Sequence, residues 1–214
     1  MTERRLPLFP LPGVVLLPGT LLPLHIFEPR YRSMVARALE ADRMIGMALL
    51  KPGWEAASEP PPIHPIGGAG EIIESEDLPD GRYNILLEGR FRYRVLEEAV
   101  PDPYRIARVE ELPARPFASR EEQDKAVATS VALFSEIARD LELPPLPGGA
   151  LSGERLASEI ALRLRYGPPE LQSILETDSL PGRYETLLGR MMEWRNRIRF
   201  LAPFRGKDLD PGRN

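Results

Sequence analysis

Phosphate-driven chemistry needs a glycine-rich loop with a lysine and a hydroxyl to hold phosphate and Mg²⁺. The glycine clusters Gly67-Gly68-Ala69-Gly70 and Gly148-Gly149 carry neither and read as turns. Nucleophilic hydrolysis needs a serine activated by a neighbouring histidine or lysine. No G-x-S-x-G is present, and Lys51, Lys125 and Lys207 stand in contexts that suggest no dyad. The two histidines are His25, in an apolar run, and His64, in a proline-rich stretch. No i,i+4 pair or acidic loop accompanies them, so a core or surface role fits each better than ligation or catalysis. The chain has no cysteine, which excludes disulfides, thiol catalysis and Cys-based zinc sites. Glu97/Glu98 and Glu110/Glu111 are adjacent pairs, and adjacent strand residues face opposite sides. The expectation is no catalytic residue, no metal and no cofactor.

One basic pattern remains. Arg90, Arg92 and Arg94 alternate along a predicted strand and would share one face. An RNA platform needs aromatic rings on that same surface, whereas Phe91 and Tyr93 fall on the other. The formal charge of −4 and pI near 5.4 also argue against nucleic acid. A solvated or salt-bridged face is the plainer expectation, and RNA binding through these arginines is the alternative.

The elements that would carry any site divide the chain in two. With 43% hydrophobic and 28% charged residues, the 214-residue chain can build a real core. Leu6–Phe27 carries no formal charge apart from His25 and follows Arg4-Arg5, as a leader or membrane span would. Pro7, Pro10, Pro12, Pro18 and Pro23 interrupt it, and no small-residue cleavage site follows. Buried strands in a cytoplasmic protein, with no membrane partner, are expected. Leu6–Leu11 and Val14–Leu17 read as short strands bounded by Pro and Gly. Glu28-Pro29 opens a helix with Tyr31, Met34, Val35, Ala38 and Leu39 at helical spacing. Met44–Leu50 is a further strand, and residues 52–65 a mobile proline-rich loop. Leu78-Pro79-Asp80-Gly81 is a hairpin turn after Glu71–Glu76. The returning strand is predicted to place Tyr83, Ile85, Leu87, Phe91, Tyr93 and Val95 on one face, with a bulge or bend at Gly89. Tyr104–Val109 adds a last strand.

Beyond Pro116 the pattern turns helical. Ser119-Arg120-Glu121-Glu122 is a capping box, and Val127, Val131, Phe134, Ala138 and Leu141 form a stripe. Ser152 caps a second helix with Leu156, Ile160 and Leu164 inward, and Pro169 fits the first turn of a third. A fourth runs from near Ser179 to about Ala202, with Tyr184, Leu187, Met191, Trp194, Ile198 and Leu201 inward. The expected divisions are 1–116, 117–204 and a flexible tail at 205–214. The fold class is α+β, a β-rich region followed by a helical bundle.

Two stretches carry a family resemblance. The first runs LPLFPL at 6–11, VVLLPG at 14–19 and LPLHIFEPRY at 22–31. The second is GEII at 70–73 followed by LPDGRYNILLEGRFR at 78–92. They resemble the amino-terminal substrate-recognition domain of Lon-type ATP-dependent proteases, and the helical region around Leu175-Glu176 to Leu187-Leu188 is similar too. The resemblance implies a PUA-like pseudo-barrel followed by a helical bundle. A Lon protease continues into ATPase and Ser–Lys protease modules, and neither motif occurs before Asn214. It therefore implies a stand-alone, non-catalytic protein that binds unfolded or degron-bearing polypeptide, as an adaptor or quality-control factor. A separate protease or chaperone is a candidate recipient of its clients. An assembly module without clients, forming an oligomer, is a further alternative. The candidate peptide-binding residues are Glu28, Arg30 and Tyr31, where the family motif meets the first helix. Glu28 also suits the positive end of the helix dipole, and Tyr31 also suits the core.

Overall fold

The structure is a computed structural model, and it describes residues 2–57, 59–99, 103–149 and 151–201. Its elements run β1 (Glu3–Leu11), β2 (Leu21–Ile26), α1 (Pro29–Glu40), β3 (Met44–Leu49), β4 (Ile66–Asp77), β5 (Tyr83–Glu98) and β6 (Arg105–Leu112), then α2 (Arg120–Leu141), α3 (Gly153–Arg163), α4 (Pro168–Glu176) and α5 (Leu180–Leu201). The fold is α+β. The sheet order is β2-β5-β4-β3-β1-β6, and β6 returns to pair with β5, so five strands close on themselves. Neighbours are antiparallel except β1 and β3, which α1 joins by a crossover. β2 lies outside the ring, paired with the first half of β5.

The barrel interior holds Leu6, Leu8, Ala69, Tyr93, Ala107 and Val109. Tyr93 fits because Gly67 has no side chain: a Cβ there would stand 2.4 Å from the Tyr93 hydroxyl. That hydroxyl donates to the Met47 carbonyl at 3.0 Å. Outside the ring, α1 packs Tyr31, Met34, Val35 and Ala38 against Ile26, Ile45, Ile72 and Leu87.

Two strand expectations are corrected. Val14–Leu17 is not a strand, although Val15, Leu16 and Leu17 are buried. Its backbone instead lies across the sheet at glycines. The Leu16 carbonyl oxygen would sit 1.9 Å from a Cβ at Gly68, and the Leu17 oxygen 2.2 Å from one at Gly89. The Gly19 amide donates to the Gly89 carbonyl at 2.7 Å, and Gly89 returns its amide to Thr20 at 2.9 Å. The second strand is the next apolar run, β2.

The second correction concerns β5. Gly70 pairs with Gly89 and Ala69 with Phe91, which leaves Arg90 as an extra, bulged residue. A one-residue bulge switches the sides reached by the residues after it. Ile85 and Leu87 therefore pack with α1, while Tyr93 enters the barrel. The six apolar residues do not share a face, and the arginines do not make one exposed basic face, since Arg92 is 1% exposed.

The helices begin where their capping residues stand. Ser119 Oγ accepts from the Glu122 amide at 3.1 Å, and the Glu122 carboxylate accepts from the Ala118 amide at 3.2 Å. Ser152 accepts from the Arg155 amide, and Pro168 and Pro169 open α4. On α2 the deeply buried positions are Ser130, Leu133, Phe134 and Ile137. Val127, Val131, Ala138 and Leu141 flank them, because α2 packs against both α3 and α5. On α5, Tyr184, Leu187, Met191 and Ile198 are buried, whereas Trp194 and Leu201 are exposed. Val15, Leu17 and Leu49 join the helical core from the strand half. The predicted tail at 205–214 lies outside the described residues. No helix among the described residues is long and apolar enough to cross a membrane.

Candidate functional site

The chain reverses at Phe27–Pro29. Glu28 is the extended N-cap of α1, and Pro29 supplies the fixed φ of a first helical position. The Glu28 carboxylate caps no amide. It accepts from Arg30 Nε at 3.0 Å and pairs with Arg30 Nη2 at 3.0 Å. The Arg30 guanidinium lies 4.6 Å from the centre of the Tyr31 ring. Tyr31 is buried against Phe9, with ring centroids 4.3 Å apart, and burial pushes its hydroxyl pKa up. Three residues adjacent in sequence thus meet at one surface.

That surface is the wall of a cavity of about 200 Å³. Its other walls come from Pro10 at the end of β1 and Pro12 after it, Leu50 after β3, Trp54, Pro60 and Pro61 of the proline-rich loop, and Tyr104. The loop is tied at both ends. Lys51 donates its amide to Pro62, and His64 donates its amide to Leu49. Arg105, nearly buried, donates from Nε to Glu98 at 2.7 Å and from Nη1 to the Pro61 carbonyl at 2.6 Å. It fixes the Pro60–Pro61 wall from β6.

A second cavity of about 380 Å³ adjoins the first and shares Pro12, Leu50 and Trp54 with it. It reaches α4, where His64 Nδ1 stands 3.1 Å from Glu176 Oε1. Gln172 Nε2 donates to that same oxygen and to the Ile66 carbonyl, both at 2.8 Å. The two cavities form a bent groove with an aromatic pivot, proline walls and charged edges. Groups of this kind bind by apolar contact and positioned hydrogen bonds.

His64 and Ser173 both line the second cavity, and among the described residues the hydrogen bond of His64 Nδ1 goes to Glu176 rather than to Ser173. His25 is exposed and does not line either cavity, its ring nitrogens 2.8 Å from Asn84 Oδ1 and 3.2 Å from Arg82 Nη1. Among the described residues there is no group of three or more His, Cys, Asp or Glu that could hold a metal. The arginines of β5 are dispersed. Arg90 pairs with Glu71 and Glu88, Arg94 with Glu110, and Arg92 is buried under the helices. Sequence reasoning missed Trp54, Tyr104 and Arg105. A lone tryptophan between prolines was the available signal for Trp54.

Comparison with known proteins follows the same lines. The family described as the ATP-dependent protease La (LON) substrate-binding domain matches residues 5–193. A Lon protease of Syntrophomonas wolfei is 29% identical over 200 residues, which is 90% of this chain and 24% of that protein. The Lon protease of Escherichia coli K12 is 27% identical over 199 residues, 89% of this chain and 25% of that protein. The chain thus spans about a quarter of the length of the curated relatives it matches. A crystal structure of a Lon N-terminal domain protein from Xanthomonas campestris superposes with a TM-score of 0.61 at 26% identity, covering 87% of this chain and 98% of that one. The N-terminal domain of a Mycobacterium avium complex Lon protease shares the fold, with a TM-score of 0.66 at 15% identity, covering 90% of this chain and 98% of that one. With its strand ring, its helices and nearly its whole length accounted for, the chain belongs to the Lon substrate-binding domain family.

Proposed function

We propose that this chain binds unfolded or degron-bearing polypeptide without catalysing its cleavage, and that the bent groove around Trp54 is where it does so. The supporting observation is the meeting of Tyr31, Trp54, Tyr104 and eight prolines of four separate segments around two cavities that share Pro12, Leu50 and Trp54. Prolines lack amide donors and present rigid apolar walls, so an extended segment meets little competing hydrogen bonding there. Glu28 and Arg30 form the polar lip that would orient it. Family membership supports a substrate-binding role, and delivery of clients to a separate protease or chaperone extends it.

The test is fluorescence anisotropy of a labelled, permanently unfolded protein, with labelled single-stranded RNA in parallel at two salt concentrations. Saturable polypeptide binding with little salt dependence is expected. Trp54→Ala removes the central aromatic contact and raises Kd about 30-fold, the effect of a hot spot worth about 2 kcal/mol. Glu28→Ala and Arg30→Ala give smaller losses. Unchanged binding by Trp54→Ala would move the site elsewhere. Absence of polypeptide binding would overturn the reading, and RNA binding that falls steeply with salt would replace it.

A further inference from the structure

A wide apolar depression lies on the helices, apart from the groove around Trp54. α2 and α5 run side by side in the same direction: 117–129 meets 181–192 at one end, and Glu136 meets Arg199 at the other. Between their N-terminal halves opens a cavity of about 630 Å³. Phe117, Ala126, Pro181, Tyr184, Leu188 and Met192 line it, with the exposed Glu122, Lys125 and Glu185 around them. Phe117 and Tyr184 meet edge to face there, ring centroids 5.6 Å apart.

The second half of α5 is the converse. Met192, Trp194, Phe200 and Leu201 are four of the eight large apolar side chains left exposed among the described residues, and Phe200 is 72% exposed. Exposed apolar side chains gathered in this way mark interaction surfaces. At 3.6 residues per turn, Glu185, Met192, Asn196 and Phe200 fall on one side of α5. That side therefore offers a depression along its first half and protruding apolar groups along its second.

Charge follows the same division. At the end formed by 120–129 and 180–189, four acids face two bases, apart from Arg183, which is buried and paired with Glu154. At the end formed by 130–141 and 190–201, five bases face three acids. A copy related by a two-fold axis, its α5 antiparallel to the first, brings unlike ends together and sets each protruding half on the other's depression. Such an isologous contact uses one surface twice, so the surface has to complement itself, as this one does in both shape and charge. With 22 residues, α5 is about 33 Å long, which leaves room for both contacts along it.

We propose that the α2–α5 face is the interface of a two-fold dimer of this chain, in which Phe200 of each copy enters the other's cavity over the Phe117–Tyr184 pair. The aromatic contacts supply affinity, and the opposed charges at the two ends fix the antiparallel direction.

The test is sedimentation equilibrium of the full chain. A reversible monomer–dimer equilibrium is expected. Phe200→Ser removes the inserted ring and should raise the dimer Kd about tenfold or more. Its circular dichroism should match the wild type, because Phe200 is exposed in the single chain. Glu185 and Arg197 are exposed at the acidic and basic ends of α5. Glu185→Arg and Arg197→Glu should each raise the Kd about tenfold by opposing like charges. Mixed in equal amounts, these two variants should regain the wild-type association, because unlike charges then meet at both ends of the pair. A chain that stays monomeric up to millimolar concentration would overturn the proposal and assign the cavity to a different partner. A dimer indifferent to Phe200→Ser would overturn it too, as would a mixture no more associated than its components.

Discussion

Gly68 shows how far one residue type can govern a fold. The carbonyl oxygen of Leu16 occupies the space that any side chain at position 68 would need. Gly68→Ala forces the 14–17 segment off β4, and should cost about 3 kcal/mol, the upper part of the range for overpacking. A urea transition with a lower midpoint and unchanged slope would report it. Asp80 behaves differently because it is exposed. Hydrogen bonds from Arg82, first from its side chain and then from its backbone amide, hold the Asp80 carboxyl down at about 2. A depressed carboxyl contributes stability above its ordinary pKa and loses it as pH falls through the native value. The turn should therefore stay intact down to about pH 4 and loosen towards pH 2. Arg82→Ala should return the Asp80 carboxyl carbon titration in NMR to the usual carboxylate range. The proximity of Glu28, Arg30 and Tyr31 could be read from the sequence because they are neighbours at a helix start. Trp54 and Arg105 could not, because loop closure and strand pairing bring them in from 26 and 77 residues beyond Glu28.

At the scale of elements, local signals were reliable where the chemistry is local. The hairpin turn, the serine caps and the proline-opened helix all stand where Pro, Gly and Ser placed them. Periodicity failed where another element decided the outcome. Val14–Leu17 is apolar enough for a strand, yet the glycines of β4 and β5 accept it as a flat crossing segment. Gly89 signalled a bulge, but the side switch that buries Arg92 follows from the extra residue Arg90 in the pairing with β4. The stripe on α2 was rotated because two helices pack on it. α5 offers a direct measurement of the same balance. Gly189 is helical, and a Cβ there would meet nothing within 4 Å. Gly189→Ala should stabilise the protein by about 0.5–1 kcal/mol, the helix propensity difference, since no packing opposes it. A rise in thermal midpoint checks it, and a fall would show that the space beside Gly189 is occupied in solution.

At the scale of the molecule, the question is whether residues 1–116 and 117–204 behave as two units or one. The composition shift near Pro116 argues for two. The packing argues for one, because Val15, Leu17 and Leu49 lie in the same apolar core as Phe134, Ile160 and Leu187. Polar ties cross the seam as well, among them Arg92 to Leu175, Gln172 to Ile66, His64 to Glu176, and the Arg115 backbone to Asp178 and Leu180. Separating the halves would expose that shared core and break these hydrogen bonds across the seam, so partial unfolding is disfavoured by apolar area and by lost hydrogen bonds. The chain carries a convenient pair of probes, with two tryptophans, Trp54 in the barrel-side loop and Trp194 on α5. Trp194→Phe leaves a reporter of the first half, and Trp54→Phe a reporter of the second. Each variant, followed by fluorescence and by far-ultraviolet circular dichroism in urea, should give coincident transitions, the signature of a single cooperative unit. Fluorescence of the Trp54-only variant that departs from its circular dichroism curve would mean that the seam opens first. The groove around Trp54 would then be a hinge as well as a binding surface.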